Sequence, residues 1–131
     1  MRYLLDTNIC IAAMKSHATV VQRLSSLTPN DCVVSTVSVY ELFTGVEKCA
    51  NPDVERVKVE TLLDAVHQVS FDSTSAQTAA RIRSDLESAG RTIGPYDLLL
   101  AGQAMAMQLV LVTANVSEFQ RVAGLTVENW E

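Results

Sequence analysis

The chain has 131 residues, of which 48% are hydrophobic, and its 15 acidic against 10 basic side chains give a formal net charge of −5. This length predicts a single domain over residues 1–131, and no apolar run is long enough to span a bilayer or to act as a signal peptide, so we expect a cytoplasmic protein with no membrane contact. The acidic balance argues against a protein that grips nucleic acid through a broad basic surface.

The predicted elements alternate between short β-rich runs and helices with apolar residues at helical spacing. Pro95 stands in the first turn of a predicted helix, where its missing N–H costs nothing. In chain order we predict a strand over 2–5, helices over 8–15 and 17–27, a strand over 32–36, helices over 37–48 and 52–66, a strand over 68–71, a helix from Ser73 or Ser75 to Ser88, a helix from Pro95 to about Met107, a strand over 109–112, a short helix over 115–122 and an edge strand over 125–127.

This alternation predicts an α/β protein with a small parallel sheet flanked by helices. In such sheets ligands bind beyond the carboxyl ends of the strands, so residues at those positions are the first candidates for a functional site. One small core is not expected to bury all three consecutive leucines, Leu98 to Leu100. We therefore predict that they form a helical dimer face.

The cysteine and histidine residues do not indicate a disulfide framework, a zinc site or covalent catalysis. Cys10, Cys32 and Cys49 lack the spacing of a disulfide framework or a zinc site, and the apolar surroundings of Cys10 and Cys32 predict small core residues. His17 and His67 are isolated, so we predict that both lie on the surface. Without a basic partner for a serine or cysteine, covalent catalysis by such a nucleophile is disfavoured.

Acidic and amide residues occupy the predicted strand ends. Asp6 directly follows the first strand, and Glu41 lies early in the helix after the second. Asp97 is in the first turn of the helix that begins at Pro95. Asn115 and Glu118 follow the last long strand.

Each of these residues also has a purely structural interpretation. Asp6 could cap the first helix, and Asp97 could complement the dipole of its helix. Asn115 and Glu118 have the spacing of a capping box. Glu41 could be a solvated helix charge, but its apolar neighbours favour a buried carboxylate that needs a cation.

Taken together, several acids at one sheet edge would repel one another without a counter-charge. A divalent cation removes this repulsion, and an all-oxygen set of ligands indicates Mg²⁺ or Mn²⁺ rather than Zn²⁺. Such a metal activates water and neutralises charge on a phosphate, which indicates a phosphodiesterase. The alternative is a phosphotransfer or phosphatase domain with Asp6 as nucleophile. It is disfavoured because Asp6 lacks a neighbouring second acid and no lysine follows Lys58.

Four segments carry a family resemblance, in the same order and at similar spacing. The chain resembles the toxin branch of the PIN-domain family, the VapC ribonucleases of bacterial toxin–antitoxin pairs. The segments are Tyr3-Leu4-Leu5-Asp6-Thr7-Asn8, Ser35 to Leu42 with Gly45 and Glu47, Ile93-Gly94-Pro95-Tyr96-Asp97, and Leu111 to Asn115 with Glu118-Phe119.

The resemblance implies a PIN-like fold, Mg²⁺-dependent endoribonuclease activity, a homodimer, and a cognate antitoxin that blocks the active site. It implies an RNA substrate, with transfer RNA favoured and initiator transfer RNA the finer expectation. A non-catalytic PIN-like binding protein is the remaining alternative, which the complete set of acids disfavours.

By position, the resemblance makes Asp6, Glu41 and Asp97 the catalytic metal ligands. Many PIN nucleases have a fourth aspartate where this chain has Asn115, which puts a firmly held second metal in doubt; Glu118 would supply the missing charge. The implied supporting residues are Thr7, through a hydroxyl bond to Asp6, with Asn8 beside it and Thr113 after the last long strand. Bound metal would offset the acids, leaving Arg81, Arg83 and Arg91 as candidates for contacts with RNA phosphates.

Overall fold

A computed structural model describes all residues from 1 to 131. Its five strands form one entirely parallel sheet in the order β3-β2-β1-β4-β5. The strands are β1 (Tyr3–Leu5), β2 (Cys32–Ser35), β3 (His67–Val69), β4 (Val110–Val112) and β5 (Val127–Glu128).

Seven α-helices flank the sheet, so the predicted α/β class is confirmed. They are α1 (Thr7–Met14), α2 (Ala18–Ser25), α3 (Thr36–Lys48), α4 (Pro52–Ala65), α5 (Ser73–Ser88), α6 (Pro95–Met107) and α7 (Val116–Phe119), with a 3-10 turn at Pro29–Asp31. None of them is both long and apolar enough to cross a membrane.

The predicted boundaries are wrong at a few places. The predicted cap of α5 at Ser73 or Ser75 is wrong, because the Asp72 carboxylate accepts the Ser75 N–H at 2.9 Å and so begins the helix. The predicted helix over 115–122 ends at Phe119, and the last strand lies at Val127–Glu128 rather than over 125–127.

The central strand β1 sends alternate side chains to opposite faces of the sheet, as strand geometry requires. Tyr3 and Leu5 join one apolar cluster and Leu4 joins the other. Cys10 and Cys32 are buried, which confirms their prediction as core residues. The exposed positions of His17 and His67 are also confirmed.

The leucine argument for a dimer face is wrong. Leu98 and Leu100 are buried in the apolar core, and only Leu99 is partly exposed. A single sheet packed against α6 therefore accepts two of the three side chains. The predicted homodimer needs other support.

Helices α5 and α6 pack closely because Gly102 faces Ala79. A Cβ atom at position 102 would lie 2.6 Å from the backbone nitrogen and Cα of Ala79, so one helix would have to move. We expect Gly102→Val to lower the free energy of unfolding by about 1–3 kcal/mol or more, as overpacking does. Chemical denaturation measures this loss.

Gly45 provides the matched control, because it lies inside α3 and nothing is within 4 Å of a Cβ built there. Gly45→Ala should raise the free energy of unfolding by about 0.5–1 kcal/mol, since alanine loses less backbone entropy in a helix. Equal stabilities for the two variants would contradict the close α5–α6 contact.

The C-terminal residues are anchored against the first strand. The Trp130 ring packs edge-on against Tyr3 with ring centroids 5.1 Å apart, and its indole N–H donates to Glu128 at 2.9 Å. Arg23 donates to the same carboxylate at 2.8 Å. These contacts bring the last residues of the chain to the edge of the sheet at which β1 ends.

Candidate active site

The strand order changes direction between β1 and β4, because β2 and β3 lie on one side of β1 and the later strands on the other. A crevice at the carboxyl ends of two such strands is the usual ligand site of an open α/β sheet. Leu5 pairs with Val112 across this point, so Asp6 and Thr113 emerge side by side. The topology thus puts one of the predicted acids at the switch point.

Asp6 is buried, with 4% of its surface exposed. Its Oδ1 accepts the Ile9 N–H at 2.8 Å, so the capping interpretation of Asp6 is confirmed. Burial raises the pKa of the Asp6 carboxyl above its usual 3.8, and the Thr113 hydroxyl and the Ile9 N–H oppose that rise. The capping bond uses Oδ1 alone, so capping and a role in the site are compatible.

Thr7 supports Glu41 rather than Asp6. The Thr7 hydroxyl donates to Oε1 of Glu41 at 2.6 Å and lies 3.0 Å from the hydroxyl oxygen of the buried Ser38. The hydroxyl contact expected for Asp6 comes instead from Thr113. The role predicted for Thr7 at Asp6 is therefore wrong, because the first turn of α1 directs this side chain toward α3.

Glu41 is only half-buried, and Tyr40 beside it is 57% exposed. Its apolar sequence neighbours therefore do not enclose it as we expected. The Thr7 hydrogen bond nevertheless fixes one of its oxygens across 34 residues of sequence.

Asp97 meets the other acids from the first turn of α6. Burial, followed by the negative charges of Glu118, Asp6 and Glu41 in that order, raises the pKa of Asp97 to about 6. These four carboxylates come from four separate segments of the chain. Their mutual repulsion is the electrostatic signature expected of a cation site.

Glu118 ties α7 to the start of α6. Its Oε1 accepts the backbone N–H of Gly94 at 3.0 Å, and the Asn115 amide donates to its Oε2. A Cβ atom at Gly94 would lie 3.2 Å from Oδ2 of Asp97 and 4.0 Å from Oε1 of Glu118, so both carboxylates approach this glycine. Asn115 precedes α7 without a side-chain cap bond, so the capping-box interpretation is wrong.

The set of donors fits a hard divalent cation, because it consists of carboxylate and amide oxygens around one crevice. Burial and, after it, the charges of Glu118, Asp6 and Glu41 raise the pKa of Asp97, and a bound cation would offset both effects. No group of three acidic, histidine or cysteine side chains has converged to the spacing of a formed metal centre. An ion bound there would therefore have to draw these side chains closer together.

The three arginines predicted to bind RNA form no hydrogen bond or ion pair with the acids of the crevice. Arg81, Arg83 and Arg91 are exposed, and Arg83 forms an ion pair with Glu87 at 3.0 Å. The pairing of Arg83 supports its alternative interpretation as part of a solvated helix face. Asn8 is exposed on α1.

Two lysines that the sequence analysis did not single out lie closer to the acids. Lys15 and Lys58 line a cavity of about 200 Å³ whose wall includes Glu41. Lys58 pairs with Glu55 at 3.4 Å. Their helices are far apart in sequence, so spacing alone carried no signal for this cavity.

Ser38 and Glu131 are also additional site residues. Ser38 precedes Glu41 by three residues in α3, so helical periodicity could have placed both on one face. The Glu131 carboxylate raises the pKa of Asp6. It reaches that position only because the C-terminal segment docks beside β1, which no local pattern predicts. Two larger and mostly apolar cavities, of about 530 and 610 Å³, have neither Asp6 nor Glu41 in their walls, although Tyr96 lines the second.

Comparison with known proteins agrees with this geometry. The PIN domain family model matches residues 3–125. The tRNA(fMet)-specific endonuclease VapC of Shigella flexneri is 34% identical over 130 residues, which cover 99% of this chain and 98% of that protein. Ribonuclease VapC2 of Rickettsia felis is 34% identical over 133 residues, which cover 100% of this chain and 99% of that protein. The chain belongs to the PIN-domain family.

Solved structures narrow the relationship within that family. A chain of DNA-bound VapBC from Salmonella typhimurium matches with a TM-score of 0.95 and 32% identity, covering 100% of this chain and 99% of that chain. A chain of VapBC2 from Rickettsia felis, bound to a promoter DNA fragment, matches with a TM-score of 0.92 and 32% identity, covering 100% of both chains. The resemblance to the VapC branch is thus confirmed.

Proposed function

We propose that this protein is a metal-dependent endoribonuclease that acts as the toxin of a toxin–antitoxin pair. The observation that carries the proposal is that Asp6, Glu41 and Glu118 lie near enough to Asp97 for their charges to raise its pKa, with Asp6 at the switch point of the sheet. Asp6, Glu41 and Asp97 would hold Mg²⁺ or Mn²⁺, with Asn115 and Glu118 beside a weaker second ion or a water. The bound ion would activate water and neutralise charge on the phosphate.

The chain's own residues prepare that crevice. Thr7 orients Glu41 through its hydroxyl, and Thr113 does the same for Asp6. The Gly94 N–H holds Glu118 beside Asp97. Each of these bonds reduces the reorganisation that the acids require before the reaction, which is a general source of catalytic rate.

The phosphotransfer alternative is disfavoured by the surroundings of Asp6. Asp6 is followed by Thr7 and Asn8 rather than by the second acid usual in that chemistry, and no lysine follows Lys58. A non-catalytic role gives no reason for four acids to share one crevice at an electrostatic cost.

Transfer RNA is the substrate we propose, with initiator transfer RNA the narrower form of the proposal. The support comes from the Shigella flexneri relative, which is named a tRNA(fMet)-specific endonuclease. Such a substrate agrees with an acidic chain that must bind a particular RNA shape rather than any polyanion. We expect the protein to act in the cytoplasm, where this RNA occurs.

An antitoxin is the partner we propose, by analogy with the VapBC assemblies among the solved structures. A basic side chain placed among the acids would block the site electrostatically.

A homodimer is also part of the proposal. Light scattering at micromolar concentration tests it, and the mass of a monomer would contradict it.

Metal-dependent cleavage of a transfer RNA pool by the purified chain, freed of any partner, tests the proposed activity. We expect cleavage with Mg²⁺ or Mn²⁺ and none with EDTA. Expression of the chain alone should arrest bacterial growth, whereas the Asp6→Ala chain should not. Metal-independent phosphate release from a small phosphoester would instead favour the phosphotransfer alternative.

Phosphate contacts can be separated from the chemical step by their salt dependence. If Lys15 binds a phosphate beside Glu41, Lys15→Ala should weaken RNA binding and flatten its salt dependence by roughly one unit of slope. Arg81→Ala and Arg91→Ala test the arginines in the same way, and the ion-paired Arg83 should have the smallest effect of the three. Binding at two salt concentrations and single-turnover cleavage measure the two steps; an unchanged slope for every variant would exclude these cations from the RNA path.

A further inference from the structure

The rim of the acidic crevice carries two exposed tyrosines. Tyr40 is 57% exposed and Tyr96 is 41% exposed, and they are the only aromatic side chains among the exposed large hydrophobic residues. Of the other aromatic side chains, Tyr3, Phe119 and Trp130 are buried, and Phe43 and Phe71 are half-buried. Tyr40 and Tyr96 are therefore the two most exposed aromatic residues of the chain, and they lie together.

The two rings form a pair that spans two helices. Tyr40 in α3 and Tyr96 in α6 have ring centroids 5.7 Å apart with planes tilted by 54°, and their hydroxyls are 3.3 Å apart. Each tyrosine directly precedes an acid of the site, Glu41 or Asp97. The pair is thus fixed to the backbone segments that carry those carboxylates.

Charge limits how this protein could bind RNA. With 15 acidic and 10 basic side chains and four acids at the crevice, attraction to phosphates contributes little. Uncharged contacts must then supply much of the affinity. Proteins that recognise unpaired RNA bases commonly stack them on exposed tyrosine rings.

Resting on the ribonuclease function proposed above, we propose that Tyr40 and Tyr96 form a stacking platform for an unpaired RNA base next to the phosphate held at the acids. Both rings keep exposed surface for a base, and the packing of one ring against the other fixes their relative position. The platform selects for RNA with an unpaired base beside the cleaved bond, which a loop offers and a continuous duplex does not.

Leucine and phenylalanine substitutions at both tyrosines test the platform. Tyr40→Leu and Tyr96→Leu keep apolar bulk and lose the flat ring, whereas Tyr40→Phe and Tyr96→Phe keep the ring and lose the hydroxyl contact. The full chain is titrated, in EDTA so that no cleavage occurs, against a short RNA hairpin with 2-aminopurine in its loop. The fluorescence of 2-aminopurine falls when the base stacks.

We expect each leucine variant to bind about 5–150-fold more weakly, the range of one base–aromatic stack. The phenylalanine variants should stay within about twofold of the unmodified chain and keep the quenching. The slope of binding against salt should be unchanged in all four, because no phosphate contact is removed. Thermal denaturation of each variant confirms that it is folded.

Three results would overturn the platform. Leucine variants that bind and quench normally would exclude stacking. Phenylalanine variants as weak as the leucine ones would assign the pair to positioning through the hydroxyl contact. A lower mass of the leucine variants in light scattering would assign the rings to a subunit interface. If the unmodified chain cleaves RNA in Mg²⁺ in any of these cases, the ribonuclease function stands; if it neither binds nor cleaves RNA, both proposals fail.

Discussion

Replacing Asp97 with asparagine should lower single-turnover RNA cleavage by at least about 100-fold, and Asp6→Asn and Glu41→Gln should do the same. If the three carboxylates hold one ion, removing any one of them removes the same stabilisation of the transition state. The double variant Asp6→Asn with Asp97→Asn should therefore be scarcely slower than either single variant. Such non-additivity is the mark of groups that act as a unit.

Asp85→Asn is the matched control for this series, because Asp85 is an exposed acid in the last turn of α5. It should cleave RNA at the normal rate. Asn115→Ala and Glu118→Ala should retain measurable cleavage, since we assign them to a weaker second ion or a water. Near-normal cleavage by the Asp97 variant would remove Asp97 from the metal site and leave it the role of an acid that complements its helix dipole.

In the absence of metal, Asp97→Asn should be more stable than the unmodified chain at neutral pH. The pKa of Asp97 is about 6 in the folded chain against a usual 3.8, so the folded state binds a proton that the unfolded state releases. The stability of the unmodified chain therefore falls as the pH rises from about 4 to about 6. After allowance for solvent screening at this partly exposed group, the loss is about 1 kcal/mol, or roughly 3–5 °C in Tm.

The variant lacks this titration, so its advantage should be complete above about pH 6 and disappear below about pH 4. Thermal denaturation from pH 4 to pH 8 in EDTA measures the difference, with Asp85→Asn as control. Added Mg²⁺ should raise the Tm of the unmodified chain, because a ligand that binds only the folded state stabilises it. A variant that is no more stable at pH 7, or that responds to Mg²⁺ as the unmodified chain does, would contradict the assignment.

The order of strands and helices was predictable because turn residues and periodicity separate the elements clearly. Pro95 begins α6 as its fixed geometry requires. Side-chain direction was less predictable. Thr7 turns to Glu41 rather than to Asp6. The burial of Leu98 and Leu100 depends on the phase of α6 against the sheet, which three adjacent leucines in a sequence do not reveal.

Parallel-sheet logic brought Asp6, Asp97 and Glu118 to attention, since strand ends meet at one edge. Contacts between distant segments stayed hidden. The Tyr40–Tyr96 pair joins residues separated by 56 positions, and the cavity wall shared by Lys15 and Glu41 depends on how α1 and α3 pack. Such contacts follow from tertiary packing, so no local pattern records them.

The place of β1 at the centre of the sheet has a consequence during synthesis. Asp6 and Glu41 leave the ribosome early, but the strand that brings Thr113 beside Asp6 and the helix that carries Asp97 belong to the last third of the chain. Because β1 pairs with β4, which is more than 100 residues later in the chain, the crevice cannot form before β4 has been synthesised. The acids therefore remain apart until translation is nearly complete, and a ribosome still making this protein carries no assembled site.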